Sequence, residues 1–256
     1  MLRSLSYYTK AIHFLFSKGL GWFMVFPIII TILVFIGGFS LTNWATDAVY
    51  AILNDWVGEM SWLPDWASWI RDAIYWLVWL ILRVMLYFVL AFVGGSIILL
   101  LMAPILTWLS EKVAAKMGKD VPEFNLVQFM RDLTRAAGLA IKNGVIQLGL
   151  SIGCFILGFV PVIGLAAPFL LFGINAYFYG YNFMDYTLER RKLSARESNS
   201  FVWTNRFQSI GLGSPYALWI LVPVIGPVTS GFVAVFATVA ATLSLEDQPT
   251  GDVAHL

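Results

Sequence analysis

The chain has 256 residues, of which 59% are hydrophobic and 12% are charged, and its net charge is +1. Because charged residues make up roughly a quarter of a typical soluble domain, this composition excludes a water-soluble globule, and it also excludes disordered, collagen-like and disulfide-rich chains. No basic tract or zinc-ligand spacing indicates nucleic-acid binding, and the single cysteine, Cys154, cannot form an internal disulfide.

Four windows of the chain contain no Asp, Glu, Lys or Arg. They cover residues 19–46, 84–110, 143–184 and 207–245. Each is at least as long as the roughly 20 apolar residues that a helix needs to cross a bilayer. The pattern predicts an all-α integral membrane protein, a single polytopic domain over 1–256. Its parts are an amphipathic N-terminal helix, two long transmembrane helices and two helical hairpins broken by Pro and Gly.

Segment 1–18 is predicted to be an interfacial helix on the membrane surface. Apolar side chains recur there at helical spacing, with polar side chains between them; the apolar ones are Leu5, Tyr8, Ile12 and Leu15, and the polar ones are Ser6, Thr9, Lys10 and Lys18. No signal peptide is expected, because this segment lacks a continuous apolar core.

The charges between the windows predict the topology. Segments 1–18, 111–142 and 185–206 carry a surplus of Lys and Arg and are predicted to be cytoplasmic, whereas 47–72 carries five acidic residues against Arg71 alone and is predicted to be external. The first span is then 19–46, the second span 73–110, the first hairpin 143–184, the second hairpin 207–245 and the tail 246–256. The chain is therefore predicted to be multi-pass, with a cytoplasmic N-terminus.

The external segment and its flanks are rich in tryptophan, with Trp44, Trp56, Trp62, Trp66, Trp69, Trp76 and Trp79. Since tryptophan favours the membrane–water interface, we expect this segment to lie on the outer surface. A platform for a carbohydrate or an aromatic ligand is the alternative interpretation.

The two hairpins are predicted from parity and from a repeated motif. Each window follows a predicted cytoplasmic segment and is expected to return to that side, so each must cross an even number of times or dip in and return. Both contain Val-Pro-Val-Ile-Gly near the middle, 62 positions apart, with Pro161 and Gly164 in the first copy and Pro223 and Gly226 in the second. Proline cannot continue a helix, and we expect each glycine to adopt positive φ at the reversal. The hairpins are either short complete spans or re-entrant pairs. Their shared turn favours an internal repeat over two ordinary interhelical turns.

No feature of the sequence supports catalysis. The windows contain no charged residue or histidine, and His13 and His255 lie near the chain ends. Metal-ligand clusters and nucleotide-binding motifs are absent from the sequence. We therefore expect no enzyme, no metal and no cofactor. Residues 211–215 superficially resemble a serine motif and are interpreted as a helix break.

Arg83 is the one charge between two apolar stretches of the second predicted span. It is either an anion-attracting charge that faces a pathway or a side chain that reaches the lipid headgroups from the outer end of a tilted helix. The second interpretation is favoured, since 84–110 can span the bilayer without it.

Four stretches together resemble the CysZ sulfate-transporter family, whose eukaryotic relatives are the etoposide-induced, autophagy-linked ER membrane proteins. They are Ala-Pro-Ile at 103–105 followed by Leu-Ser-Glu-Lys-Val at 109–113, Phe-Val-Pro-Val-Ile-Gly at 159–164, Asp-Tyr-Thr-Leu-Glu-Arg-Arg at 185–191, and Leu-Val-Pro at 221–223. Order and spacing agree over nearly the whole chain.

The resemblance implies a helical inner-membrane protein with two long transmembrane helices and two membrane-dipping hairpins, one that takes up sulfate and forms homo-oligomers. The family's sulfate-associated loop reads Gly-Leu-Arg-Arg, and the matching positions here are Gly19, Leu20, Gly21 and Trp22. Both arginines are missing, so the backbone amides of Gly19, Leu20 and Gly21 are the candidate anion donors.

We therefore predict a channel or permease for a small solute, such as sulfate or another anion. The alternative is a non-transporting scaffold, assembly or lipid-handling factor of the same family. The missing arginines favour this alternative, and the two broken windows favour transport.

Overall fold

The computed structural model describes residues 2–58, 68–119 and 126–247, which form helices and connections without any strand. The helices in chain order are α1 (Leu2–Ser17), α2 (Val25–Gly58), α3 (Ser68–Lys116), α4 (Leu126–Leu157), α5 (Ala167–Arg190), α6 (Ala195–Thr204), α7 (Arg206–Ile220), α8 (Ile225–Val228) and α9 (Ser230–Glu246). Short 3₁₀ helices at Gly21–Met24 and Ile163–Ala166 precede α2 and α5. Trp62, Trp66 and the tail 248–256, about which predictions were made, lie outside the described residues.

Two stretches are long and apolar enough to cross a membrane, Gly21–Val49 and Gly94–Lys116. Only 6% of the apolar window in the first stretch is buried, and the side chains it exposes include Ile28, Ile32 and Ile36. An apolar surface of this extent is stable in lipid and not in water. Both helices continue beyond the apolar windows, so that part of the predicted external segment is helical.

Helix α1 buries only part of the stripe that its sequence predicts, since Leu15 is buried and Tyr8 is half-buried. The side chains that pack into the core are Ser4, Tyr7, Ala11 and Leu15, whereas Leu5 and Ile12 are exposed. Helix α1 lies against α9 and α7, so it has one apolar face toward the protein and a second one open to its surroundings.

Helices α3, α5, α7 and α9 share the buried core, to which Tyr181, Leu188, Leu212 and Val239 contribute. Helices α5 and α7 approach closely because glycines meet at their contact. A Cβ atom at Gly213 would lie 1.9 Å from the Ala176 carbonyl oxygen, and one at Gly180 would lie 1.9 Å from the Ser209 carbonyl oxygen.

The predicted helix break at 211–215 is wrong. Helix α7 continues through these residues with Pro215 inside it. The stretch needs small residues because α5 packs against it, and the Ser214 hydroxyl donates to the Ile210 carbonyl one turn earlier.

Candidate functional site

The loop at 19–21 forms the C-terminal cap of α1. Gly19 adopts φ +71°. Its N–H donates to the Phe16 carbonyl at 3.3 Å, and the Leu20 N–H donates to the Leu15 carbonyl at 2.9 Å. This pair of bonds is a Schellman motif, in which a left-handed glycine satisfies the last carbonyls of a helix. Two of the three candidate amides are therefore already engaged with the chain itself.

An aromatic cluster surrounds the position at which the family loop has its second arginine. The Trp22 ring lies 4.3 Å from the Phe23 ring and 5.2 Å, edge-on, from the Trp108 ring of α3, centroid to centroid. The preceding position is also confined, since a Cβ atom at Gly21 would lie 3.1 Å from the Phe16 ring. The loop is thus fixed to α3 by aromatic packing.

The two Val-Pro-Val-Ile-Gly motifs share one backbone geometry. The first chain interruption separates α4 from α5, and the second separates α7 from α8 and α9. In the first copy the Gly164 N–H donates to the Val160 carbonyl at 2.7 Å, and in the second the Gly226 N–H donates to the Val222 carbonyl at 2.9 Å. The same residue spacing therefore closes both turns.

The expectation that the glycines carry the positive φ is wrong. Val162 (φ 69°) and Val224 (φ 64°) carry it instead. The glycines two positions later are needed for space, because a Cβ atom would lie 2.4 Å from the Gly158 carbonyl oxygen at Gly164 and 2.2 Å from the Trp219 carbonyl oxygen at Gly226.

The two turns differ in their surroundings. The equivalent valines of both turns are exposed, Val162 at 83% and Val224 at 48%, but in the second turn the following Gly226 and Pro227 are buried. Pro227 fits against Gly95 of α3, where an added Cβ atom would lie 2.8 Å from the proline Cβ. Both turns thus present apolar side chains outward, and the second turn is in addition docked on α3 through Pro227.

Arg83 connects α3 to α2. Its Nη2 donates to the Asn43 Oδ1 at 2.8 Å, and its guanidinium lies 4.6 Å from the centre of the Trp79 ring. Arg83 precedes Gly95, where the second turn docks, by twelve residues, or about 18 Å along the helix. The structure does not bring Arg83 together with that turn.

The structure also assembles a buried polar row on α9 that the sequence reasoning missed. Its members are Ser230, Thr238, Thr242 and Glu246, all buried and spaced by multiples of four residues. Such spacing places side chains on one helix face. The four-residue spacing of hydroxyl and carboxyl groups is the sequence signal that could have revealed this row.

The middle of the polar row belongs to a cluster of three hydroxyls from different helices. The Thr242 hydroxyl lies 3.1 Å from that of Ser110 on α3 and 3.2 Å from that of Thr187 on α5, and the latter two are 3.3 Å apart. One turn earlier, the buried Thr238 hydroxyl has no hydrogen-bond partner among the described residues.

At the end of the polar row, Glu246 meets a basic cluster formed by Lys119, Arg190 and Arg191. The Arg190 guanidinium contacts the Glu246 carboxylate directly. The Arg191 Nη2 lies 3.2 Å from the same carboxylate oxygen, and the Lys119 Nζ lies 3.9 Å from the other one. Both arginines come from the 185–191 stretch that carries the family resemblance.

A second buried ion network joins α4 to α5 and α6. The guanidinium of Arg135 lies 3.4 Å from the Asp185 carboxylate and 3.6 Å from the Glu189 carboxylate, and it donates to the Ser198 hydroxyl at 2.9 Å. Burial raises the pKa of Asp185, and the charge of Arg135 opposes that rise. These four residues attach α4 to α5 through ion pairs and to α6 through a hydrogen bond.

Comparisons with known proteins identify the family of this chain and several related transporters. The family described as "Sulfate transporter CysZ/Etoposide-induced protein 2.4" matches residues 7–230. The sulfate transporter CysZ of Pseudomonas fluorescens (strain Pf0-1) is 27% identical over 224 residues, which cover 86% of this chain and 84% of that protein. The sulfate transporter CysZ of Pseudomonas syringae pv. tomato is 28% identical over 227 residues, covering 86% and 83%. That of Pseudomonas aeruginosa (strain LESB58) is 26% identical over 226 residues and covers 86% of each chain. These names are those of transporters and not of enzymes.

Proposed function

The chain belongs to the family of the sulfate transporter CysZ and the etoposide-induced protein 2.4, and from that membership we propose that it is an inner-membrane transport protein for a small anion. Sulfate is the first substrate to test, because the related Pseudomonas proteins are named sulfate transporters.

The buried polar row on α9 is the observation that carries this proposal. Polar groups inside a membrane protein are costly and tend to line substrate pathways or join helices. From Ser230 to Glu246 the row extends about 24 Å, close to the roughly 30 Å thickness of a bilayer core. The unpartnered Thr238 hydroxyl is a group that a passing anion would satisfy, since a buried polar atom without a partner is unfavourable.

The proposal includes the topology and the hairpins. We place the N-terminus and the two basic segments in the cytoplasm, with one domain of two spans and two hairpins. The exposed apolar Val160 and Val162 of the first turn favour insertion of that turn into lipid. We also retain self-association into a homo-oligomer, on the ground of the family resemblance alone.

As the less favoured alternative to headgroup contact, Arg83 keeps a proposed role in attracting anions from the outer side. Its hydrogen-bond partner, the Asn43 amide oxygen, is neutral and does not cancel the charge of the guanidinium. The loop at Gly19, Leu20 and Gly21 keeps a minor proposed role, because α1 already uses two of its amides.

The alternative function is that of a membrane scaffold, assembly or lipid-handling factor that transports nothing. The observation that favours it is the aromatic packing of Trp22 against Phe23 and Trp108, at the position where the family's sulfate-associated loop has an arginine. Arginine is the side chain best suited to an oxyanion.

Uptake of radiolabelled sulfate by proteoliposomes tests the proposal. We expect the purified full chain to take up sulfate faster than protein-free liposomes of the same lipid, and unlabelled sulfate to compete. A second preparation with Thr238→Val should transport more slowly, because valine has nearly the same shape without the hydroxyl. Equal uptake with and without protein, for sulfate and for other small anions, would favour the non-transporting alternative.

A further inference from the structure

We propose that the basic cluster of Lys119, Arg190 and Arg191 is an oxyanion-binding site, and that Glu246 occupies it as a tethered competitor. In this conformation the carboxylate oxygens of Glu246 stand in for two oxygens of a bound tetrahedral anion. The inference rests on the proposed transport function, because it identifies one end of the polar row as the place where the anion binds.

The charge balance of the cluster supports an anion site. Three cationic side chains converge on a single carboxylate, so the immediate group has a surplus of two positive charges. The adjacent carboxylate does not correct this surplus, since Asp247 pairs with Lys10 at 3.7 Å. A simple structural salt bridge would need only one cation for Glu246.

Two of the four interacting side chains are buried, which strengthens the charge interaction between them, whereas the side chains of Arg191 and Lys119 are 20% and 41% exposed. The Arg190 side chain is 5% exposed and that of Glu246 is 6% exposed. The Nε of Arg190 is buried and has no hydrogen-bond partner among the described residues. Charge-assisted hydrogen bonds from arginine are strong and geometrically specific for oxyanions. One donor of this guanidinium therefore remains available to a ligand with more oxygens than a carboxylate.

The position of Glu246 at a helix end allows a ligand to displace its side chain from the basic cluster. Glu246 is the last residue of α9, and because helix ends fray, its displacement requires only the end of that helix to open. A doubly charged tetrahedral anion would bring more charge and more acceptor oxygens to the same three cations. Only the molecules in which Glu246 has left the site can bind a free anion. The apparent affinity of the site is therefore lowered by the fraction of molecules in that open state.

Equilibrium binding of radiolabelled inorganic sulfate to the detergent-solubilised full chain tests the proposal. We expect Glu246→Gln to bind sulfate at least about tenfold more tightly than the native protein, the effect of removing one charge-assisted competitor. The matched control is Asp247→Asn, which removes the neighbouring carboxylate outside the cluster and should bind like the native protein. Adding Arg190→Gln to Glu246→Gln should abolish the gain.

Unchanged sulfate affinity in a Glu246→Gln protein that elutes from size exclusion like the native one overturns the proposal. If that variant does not fold, hydrogen–deuterium exchange on the native protein is the second test of the proposal. Sulfate, compared with chloride at matched ionic strength, should accelerate exchange at 243–247 as Glu246 is displaced, and unchanged exchange there overturns the proposal.

Uptake measured on the same proteins separates this site from the transport function. Tighter sulfate binding by Glu246→Gln without uptake by either protein supports the site and overturns transport. Uptake by the native protein with no gain in binding by Glu246→Gln supports transport and overturns the site.

Discussion

Two valines in the interhelical turns adopt a conformation that usually requires glycine. Val162 and Val224 have positive φ, which is rare for β-branched residues and costs on the order of 1–3 kcal/mol each. At the second turn the Ile225 N–H donates to the Pro223 carbonyl at 2.7 Å, closing a tight turn around the valine. Glycine is needed two positions later because the chain passes over a carbonyl there.

Replacing Gly226 with alanine is therefore expected to destabilise the protein by about 1–3 kcal/mol, since the new methyl group would collide with the Trp219 carbonyl. The matched control is Gly153→Ala in α4, where an added Cβ meets nothing within 4 Å and helix propensity improves. Thermal unfolding in detergent should show a lower midpoint for the first variant and an unchanged or higher one for the second. Equal midpoints for both would contradict the close approach.

We predict that the native protein binds sulfate weakly at the loop before the first span, because the two family arginines are missing there. A Gly21→Arg, Trp22→Arg protein should bind sulfate at least about a hundredfold more tightly than the native protein, because two charge-assisted contacts contribute roughly 1.5–3 kcal/mol each. Calorimetry is the measurement, after size exclusion has established folding. Trp22→Ala, which removes the aromatic ring without adding charge, is the control and should not gain affinity. Micromolar binding by the native protein would show that the arginines are unnecessary.

Asp185 is predicted to make the stability of the protein fall as pH rises. It lies beyond the apolar window 143–184, and burial raises its pKa above the ordinary 3.8. The folded protein thus holds this proton more tightly than the unfolded chain, so the unfolding free energy falls as pH rises from about 3.8 through the raised pKa. In Asp185→Asn this fall should be smaller, as measured by melting temperature against pH.

Glu197 is the internal control because its pKa is shifted in the opposite direction. Hydrogen bonds from the Ser194 side chain and backbone lower it in the capping box of α6. Its contribution to stability is present above the unfolded pKa and is lost as pH falls through the folded one. Glu197→Gln should therefore weaken the acid-side loss of stability. Identical pH profiles for the native and both variant proteins would contradict the two assignments.

At the scale of helices, the contact between α5 and α7 depends on glycine. Gly180 and Gly213 face each other across it, and the backbones approach until a methyl group no longer fits. This close packing is the usual way in which small residues join helices in membranes.

Gly213→Ala is expected to cost about 3 kcal/mol, because the methyl group would meet the Ala176 carbonyl of α5. Gly173→Ala, on α5 but with open space at its Cβ, is the matched control and should be tolerated. Size-exclusion profiles after heating compare the two. Survival of both variants at the same temperature would show that the helices can separate without penalty.

At the scale of the whole molecule, the basic segments predict the orientation of the chain in the membrane. In a Cys154→Ser background, single cysteines at Ser61 and Ser194 should react from opposite sides of the membrane with an impermeant thiol reagent, because the two segments differ in Lys and Arg content. A cysteine at each position in permeabilised cells is the control for reactivity. Labelling of both positions from one side in intact cells would contradict the two-span topology.

Much of the architecture follows from local chemistry. The helical class and two candidate spanning helices are confirmed, because runs of apolar residues decide membrane insertion and are read directly along the chain. The family is also confirmed, since the stretches that resemble it are short local sequences. Prolines mark both interruptions because proline disfavours the helix interior, but Pro104 and Pro215 lie inside continuous helices, so proline alone does not decide where a helix ends. The placement of the turns in the membrane and the role of the loop at 19–21 stay predictions.

The tertiary structure decided the features that depend on distant parts of the chain. Glu246 and Arg190 are 56 positions apart, and Thr242 and Ser110 are 132 apart, so neither contact follows from local spacing. Likewise, the space limit at each turn glycine comes from a carbonyl six or seven positions away, which the motif itself does not reveal. Hydropathy and helix breaking are properties of a segment, whereas a buried charge is explained only by the partners that the fold brings to it.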